Sequence, residues 1–282
     1  MKLNVLVDEC GYLESPRWHD DALWLSDFDA RQVLAVREGG DVRIVAEIEG
    51  VPSGLAFVET GLLVASMRDQ KIVHVDAAGI ATAWADLSQV AVGQLNDMVM
   101  DGSGNLYVGC FGYDLGEKPR PGPLLHVDPH ARVGVACRDL MFANGMAITG
   151  DGTTLVVAES AARRITTFQI GPAGDLRDRA VIAELGRRRQ PDGLCIDAES
   201  GIWIASPFTE EFVRLAADGT VTHVIPTPGR WAVACALGGA DGSTLFAVTA
   251  ETDLARFARG ESRGRVETAT APVPARINVV RY

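Results

Sequence analysis

The chain predicts an all-β fold: a six-bladed β-propeller of four-stranded antiparallel blades. Three observations predict it. The first is an internal repeat. Six segments can be laid over one another: Glu14-Ser-Pro-Arg-Trp, Ser53-Gly-Leu-Ala-Phe, Asn96-Asp-Met-Val-Met, Asn144-Gly-Met-Ala-Ile, Asp192-Gly-Leu-Cys-Ile and Ala232-Val-Ala-Cys-Ala. Their starts lie 39 to 48 residues apart, the period of a four-stranded blade. The second is that most copies continue into a turn with Gly and a further apolar strand, such as Leu62-Leu-Val-Ala or Leu155-Val-Val-Ala. The third is hairpin punctuation at matching points, Asp101-Gly-Ser-Gly, Gly150-Asp-Gly, Glu199-Ser-Gly and Asp241-Gly, with few stretches of helical periodicity. The Gly-His and Trp-Asp pairs of WD40 blades, which share the period, are missing.

Each copy reads as four strands and three turns. The second copy is the clearest: Gly54-Leu-Ala-Phe-Val, Leu62-Leu-Val-Ala-Ser, Lys71-Ile-Val-His-Val and Ala81-Thr-Ala-Trp-Ala, separated by Glu59-Thr-Gly, Arg68-Asp-Gln and Ala78-Gly79. Both Leu3-Asn-Val-Leu-Val near the start and Ile277-Asn-Val-Val near the end are available to complete the last blade, which would remove exposed edges. No linker divides the chain, so residues 1–282 read as a single propeller domain.

The innermost strand of a blade runs along the central channel, so the residue just before it sits at one mouth. At that position the copies carry Glu14, Ser53, Asn96, Asn144, Asp192 and Ala232. A residue needed only for folding tends to repeat unchanged; a ring of different oxygen donors reads as one asymmetric site. Asn-Gly and Asp-Gly are also ordinary turn sequences, but the shared register with Glu14 and Asn96 favours convergence. Ser53 and Ala232 read as passive members. The second strand returns antiparallel, which brings Asp27, Ser66, Cys110, Glu159, Ser206 and Thr249 to the same mouth as a second ring. The opposite mouth, made of short Asp/Gly turns, reads as structural.

Two carboxylates with Asn carbonyls form a hard, oxygen-only donor set, suited to Ca²⁺, Mg²⁺ or Mn²⁺. Without a cation the two acids repel. Trp18, Trp24 and Trp203 fall in strand patterns and read as core. Cys110 reads as a buried inert thiol. The five histidines show neither metal spacing nor triad order. The run Arg187-Arg188-Arg189 directly before Asp192 reads either as a solvated loop or as a lure for an anionic substrate. The segment Phe111-Gly-Tyr-Asp-Leu-Gly-Glu-Lys-Pro-Arg-Pro-Gly-Pro is the longest mouth loop, a partly rigid lid or surface decoration.

Composition narrows the function classes. The 282 residues are 47% hydrophobic, enough for a full core, and contain no apolar run long enough for a membrane helix. The start, Met1-Lys-Leu-Asn-Val-Leu-Val-Asp-Glu, does not read as a signal peptide. Five scattered cysteines fit neither a disulfide framework nor a zinc pattern, so a cytoplasmic protein with reduced thiols is expected. A formal net charge of −11 argues against a nucleic-acid partner.

Four motifs in order at blade spacing, Glu14-Ser-Pro-Arg-Trp, Leu95-Asn96-Asp97 with Asp101-Gly-Ser-Gly-Asn-Leu-Tyr, Asn144-Gly145-Met146 and Pro191-Asp192-Gly193-Leu194, resemble the gluconolactonase/regucalcin/luciferin-regenerating-enzyme family of six-bladed propellers over essentially the whole chain. The resemblance implies one divalent metal ion (Ca²⁺, Mg²⁺, Mn²⁺ or Zn²⁺) held by Glu14, Asn144 and Asp192, with Asn96 at the metal or the substrate. More distant relatives of this architecture, the diisopropylfluorophosphatases and paraoxonases, use a similar Glu/Asn/Asn/Asp set. One departure stands out: sugar-lactonase members commonly carry Arg where this chain has Gln94. Loss of that cation removes charge-assisted hydrogen bonds to substrate oxygens.

The expected function is metal-dependent hydrolysis of a lactone or related ester, with simple aldonolactones disfavoured by Gln94, Asp192 as the catalytic base, and Asn96, Gln94, Phe111 and Tyr113 shaping the substrate pocket. Phosphotriester hydrolysis and non-catalytic, metal-stabilised ligand binding are the alternatives.

Overall fold

The computed structural model describes residues 1–114 and 116–276. Twenty-four strands form six four-stranded antiparallel sheets. Five blades are continuous in sequence and spatial order: residues 13–47, 52–86, 95–140, 143–184 and 194–226. The sixth contains Trp231–Gly238, Thr244–Glu251 and Arg263–Thr270, and its outermost strand is Asn4–Cys10 from the start of the chain. That strand pairs with Arg263–Thr270 from Asn4↔Thr268 to Cys10↔Gly264, so the two ends of the chain are joined in one sheet. The expected early strand is therefore the closing one; Ile277-Asn-Val-Val lies outside the described residues.

The six innermost strands contact one another in a closed ring, Leu13–His19 to Pro52–Val58, Leu95–Met100, Ala143–Ile148, Leu194–Ile196, Trp231–Gly238 and back to Leu13–His19. The core lies between blades. One cluster, for instance, packs Leu63, Ile72 and Ala85 of the second blade against Met98, Val108 and Leu125 of the third. Alternation along each strand explains this, because every blade is apolar on both faces and needs a neighbour on each side. Trp203 is fully buried as expected, whereas Trp18 and Trp24 are half-buried: Trp18 stacks on Phe246 at 5.2 Å and Trp24 meets Phe57 edge-on at 5.3 Å.

A short helix, Leu254–Arg259, interrupts the sixth blade. The Asp253 carboxylate caps it, accepting from Ala255 and Arg256 N–H at 2.8 and 2.9 Å, and Gly260 ends it in the left-handed region. Six residues are too few to display a helical period in sequence. No helix among the described residues is long and apolar enough to cross a membrane.

Candidate metal and substrate site

The repeated donor position owes its geometry to a recurring irregularity. In five blades the innermost pair slips register just after the donor: between Glu14 and Arg17, Pro52 and Leu55, Leu95 and Met98, Ala143 and Met146, and Ala232 and Ala234. A bulge re-aims the side chain beside it, so one backbone device repeated around the ring aims a different residue each time. At Glu14 the device is strained, since Ser15 next to it adopts φ 51°.

The glycines after the donors do not make turns. Gly145 lies within the inner strand Ala143–Ile148, and a methyl group there would come 2.4 Å from the Asp192 carbonyl. A methyl at Gly193 would meet Ala234 Cβ at the same distance. The turn reading of Asn144-Gly145 and Asp192-Gly193 is thereby replaced: these glycines let adjacent inner strands approach, which brings the donors ahead of them together.

Glu14, Asn96, Asn144 and Asp192 all reach the same mouth and are only 4–8% exposed. Asn144 Nδ2 donates to Asp192 Oδ1 at 2.6 Å, leaving the Asn144 carbonyl oxygen for another partner. Asn96 Oδ1 accepts a long bond from Ser53 Oγ at 3.4 Å. Burial, and then the Asp192 charge, hold the Glu14 carboxyl well above the usual carboxylate range. Burial raises Asp192 to about 7, opposed by the Asn144 bond and reinforced by Asp97. Burial beside these acids also pushes the Tyr12 phenol well up.

Asp97 is the site acid that the repeat did not single out. Its carboxylate accepts from Ser15 Oγ at 3.0 Å, Arg17 Nη2 at 2.7 Å and Met146 N–H at 3.2 Å, tying blades one, three and four together inside the channel. Arg17 also donates to the carbonyls of Pro16 and Met98 at 3.0 and 2.9 Å. A signal was available: the other copies carry Ser15, Gly54, Gly145, Gly193 and Val233 at this position, and Asp97 is its one charge.

The second ring reaches the expected mouth, since Leu13 pairs with Asp27, Pro52 with Ser66, Leu95 with Cys110, Ala143 with Glu159 and Ala232 with Thr249. Its side chains, however, serve their own blades. Asp27 accepts from Gly11 and Ala30 N–H, both at 2.9 Å; Ser66 donates to Asp69 at 2.8 Å; Glu159 accepts from Arg164 at 2.8 Å. Cys110 is buried, donates to the Pro123 carbonyl at 3.0 Å and has its thiol pushed up by burial, as an inert cysteine should.

The walls above the donors are aromatic. Phe111 and Tyr113 are both buried and lean on Phe142, with ring centroids 4.4 and 6.2 Å away. The start of the long loop is thus folded inward rather than surface decoration. Gln94 is half-buried beside them, its backbone carbonyl accepting from Phe111 N–H at 3.0 Å. Sequence reasoning missed Tyr12, Phe28, Trp231 and Phe257, which continue this wall: Tyr12 lies 5.7 Å from Phe28 and 4.7 Å from Phe257, itself 6.3 Å from Trp231. Of the arginine run, Arg189 is engaged by Glu211 at 2.8 Å, while Arg187 and Arg188 are exposed.

The donor set decides what the site can hold. Among the described residues no three His, Cys, Asp or Glu side chains converge as a metal cluster. A cation held by Glu14 and Asp192 therefore needs amide oxygens, and Asn144 presents one. Three carboxylates, Glu14, Asp97 and Asp192, face one guanidinium, Arg17, which is bonded to Asp97. The unmatched pair of acids fits a hard divalent ion in charge and in ligand type.

Residues 13–251 match the family described as SMP-30/Gluconolactonase/LRE-like region. Among curated proteins, the chain is 30% identical over 127 residues to a 6-deoxy-6-sulfogluconolactonase of Pseudomonas putida, a match covering 44% of each chain and so under half of that relative's length. It is 23% identical over 267 residues to Bos taurus regucalcin, covering 89% and 87%. Among solved structures it is similar to a luciferin-regenerating enzyme (TM-score 0.81, 18% identity, 96% and 95% covered) and to a calcium-binding protein, regucalcin, of Agrobacterium tumefaciens (TM-score 0.78, 24% identity, 96% of both). A Xanthomonas campestris gluconolactonase superposes with TM-score 0.76 at 23% identity, over 95% and 89%. These likenesses share the propeller, and the match over residues 13–251 gives the kinship: the chain belongs to the SMP-30/gluconolactonase/LRE-like family.

Proposed function

We propose that the protein is a divalent-metal-dependent hydrolase of a lactone, one less hydroxylated than an aldonolactone. The observation that carries this reading is the buried pair of acids, Glu14 and Asp192, whose burial and then mutual repulsion raise the Glu14 carboxyl while the nearest guanidinium, Arg17, is bonded to Asp97. The gluconolactonase and sulfogluconolactonase names among its relatives support lactone hydrolysis, and the regucalcin named as calcium-binding supports the metal.

Glu14, Asn144 and Asp192 would hold the ion, which when bound supplies Lewis-acid polarisation of the substrate carbonyl and stabilisation of the developing oxyanion. The remaining work falls to the chain. Asp192 takes the proton of the attacking water; the ring C–O bond then breaks, and the proton passes to the departing alkoxide, giving a hydroxy acid. The Asn144 Nδ2 bond at 2.6 Å fixes the orientation of Asp192. Asn96, whose Oδ1 accepts from Ser53 Oγ at 3.4 Å, would hydrogen-bond the substrate. Phe111 and Tyr113 exclude water and cover the apolar part of the lactone ring. Gln94 supplies only neutral hydrogen bonds where sugar-lactonase relatives have Arg, which favours substrates with few hydroxyls.

A lactone panel run with each of Ca²⁺, Mg²⁺, Mn²⁺ and Zn²⁺ and with a chelator tests this. Turnover of an aliphatic lactone that disappears with chelation is expected, with D-glucono-δ-lactone a poor substrate. Hydrolysis of a paraoxon-type ester alone would move the activity to phosphorus; no hydrolysis with any ion would leave a binding protein.

A further inference from the structure

We propose that the substrate carries an anionic group, a carboxylate, received at the mouth by Arg163, Arg187 and Arg188. This rests on the lactone-hydrolase reading and adds the charge of the substrate to it.

The rim of the mouth is uneven in kind. An arc of aromatic contacts lines part of it. Phe208 meets Trp231 at 5.1 Å, Phe257 meets Tyr12 at 4.7 Å, and Phe28 joins Val51, Met67 and Phe111 in one cluster that reaches Phe142. The arc stops at the fourth blade. Between blades four and five the rim consists of the turn 160–163 and the crossover 185–191, and here every large exposed side chain is an arginine: Arg163, Arg187 and Arg188. Leu185 N–H donates to the Arg163 carbonyl at 2.9 Å, binding turn and crossover together.

The sector is next to the site and stays cationic. Ser160 Oγ donates to the Pro191 carbonyl at 2.6 Å, pinning the crossover directly before Asp192. Arg188 stands four positions before Asp192, a span of at most about 14 Å. The acids nearby are engaged: Glu159 with Arg164 and Arg179, Glu211 with Arg189, and Glu210 with the Gly229 N–H. Glu184 is the exposed carboxylate left at this edge, against three arginines, none of which forms an ion pair among the described residues. A cationic sector in a chain of net charge −11 is not background. Exposed guanidiniums contribute little to folding as they stand, but they suit bidentate recognition of a carboxylate and raise its local concentration at the mouth.

The test compares a γ-lactone bearing a ring carboxylate with its methyl ester, on the metal-loaded protein. Wild type should prefer the carboxylate in kcat/KM by roughly tenfold at low salt, and the preference should shrink as salt screens it. Arg163→Ala/Arg187→Ala/Arg188→Ala should bring the ratio close to one, and Arg187→Glu/Arg188→Glu should invert it. A merely structural role for these residues would change both substrates together and leave the ratio alone. An unchanged ratio in the triple variant overturns the proposal while leaving lactone hydrolysis standing. If neither compound is hydrolysed, the hydrolase reading fails instead, and calorimetric binding of the carboxylated lactone to wild type and triple variant decides the proposal: equal binding overturns it.

Discussion

The two mouths of the channel use the same residue type to opposite ends. At the far mouth, the turn aspartates Asp101 and Asp151 close on donors of their own loops. Asp101 accepts from Ser103 and Asn105 N–H at 2.8 and 2.9 Å, and Asp151 from Thr149 Oγ1 at 2.6 Å and Thr153 N–H at 3.1 Å. The Thr149 hydroxyl, with the Thr153 N–H and hydroxyl, pulls Asp151 down to about 2. At the site mouth, Asp192 receives a single side-chain amide and burial lifts it to about 7. An aspartate with its donors built in is satisfied as an anion; one buried with a single donor is not. The difference arises from the backbone. Turn aspartates face N–H groups of a tight loop, whereas Glu14 stands at a bulge on the inner strand, which re-aims the side chain beside it.

The sharpest way to break this comparison is to neutralise one aspartate at each mouth. Asp192→Asn should cost at least about a hundredfold in turnover, the lower range for loss of a general base, with the fold intact by circular dichroism. Asp151→Asn should leave turnover unchanged. Equal losses would mean that the mouths do not differ in role.

The next effect is on stability, and it separates Asp97 from the two acids beside it. Asp97→Ala strands Arg17, whose side chain is 21% exposed, together with Ser15 and Met146 N–H. Breaking a buried ion pair costs about 3 kcal/mol or more, so denaturant unfolding should show a loss near that size, with chelator present or absent. A cost below about 1 kcal/mol would remove Asp97 from the structural frame.

A smaller effect is a pH dependence of opposite sign at the two mouths. Asp192 is raised from 3.8 to about 7 on folding, so between those values the folded metal-free protein holds more protons than the unfolded chain. Its contribution is present in full below about pH 4 and is lost as pH rises through about 7. Glu14 acts in the same direction. Asp151 does the reverse, stabilising above its unfolded value and losing that contribution as pH falls toward 2. In chelator, Glu14→Gln/Asp192→Asn should therefore flatten the decline in melting temperature between pH 4 and 7. Saturating divalent cation should reverse the decline in wild type, because it binds the deprotonated acids. A parallel decline in wild type and variant would place its cause elsewhere.

Much of this was legible because a propeller repeats. Register alone placed Glu14, Asn96, Asn144 and Asp192 at one mouth, since the same strand start recurs every 39 to 48 residues. What the sequence hid depends on contacts between blades. The Arg17–Asp97 bond joins residues 80 apart, and the Cys195–Cys235 approach, 3.7 Å between sulfurs on neighbouring inner strands, joins residues 40 apart. The aromatic wall draws its members from separate loops, so no local pattern announces Tyr12 with Phe257. The second ring was placed at the right mouth, but its part was not legible, because position along a strand does not say whether Glu159 faces the channel or its own Arg164. The glycines after Asn144 and Asp192 looked like turn residues for the same reason: only the neighbouring strand shows what a methyl group there would strike.

The central claim is that Glu14, Asn144 and Asp192 form a cation site. Isothermal titration of the chelator-stripped protein with Ca²⁺, Mg²⁺, Mn²⁺ and Zn²⁺, for wild type and for Glu14→Gln, tests it most directly. One equivalent of at least one of these ions should bind wild type, more tightly at pH 8 than at pH 6, and binding should be weakened at least about tenfold in Glu14→Gln. No binding of any of the four ions to wild type at millimolar concentration would contradict the account.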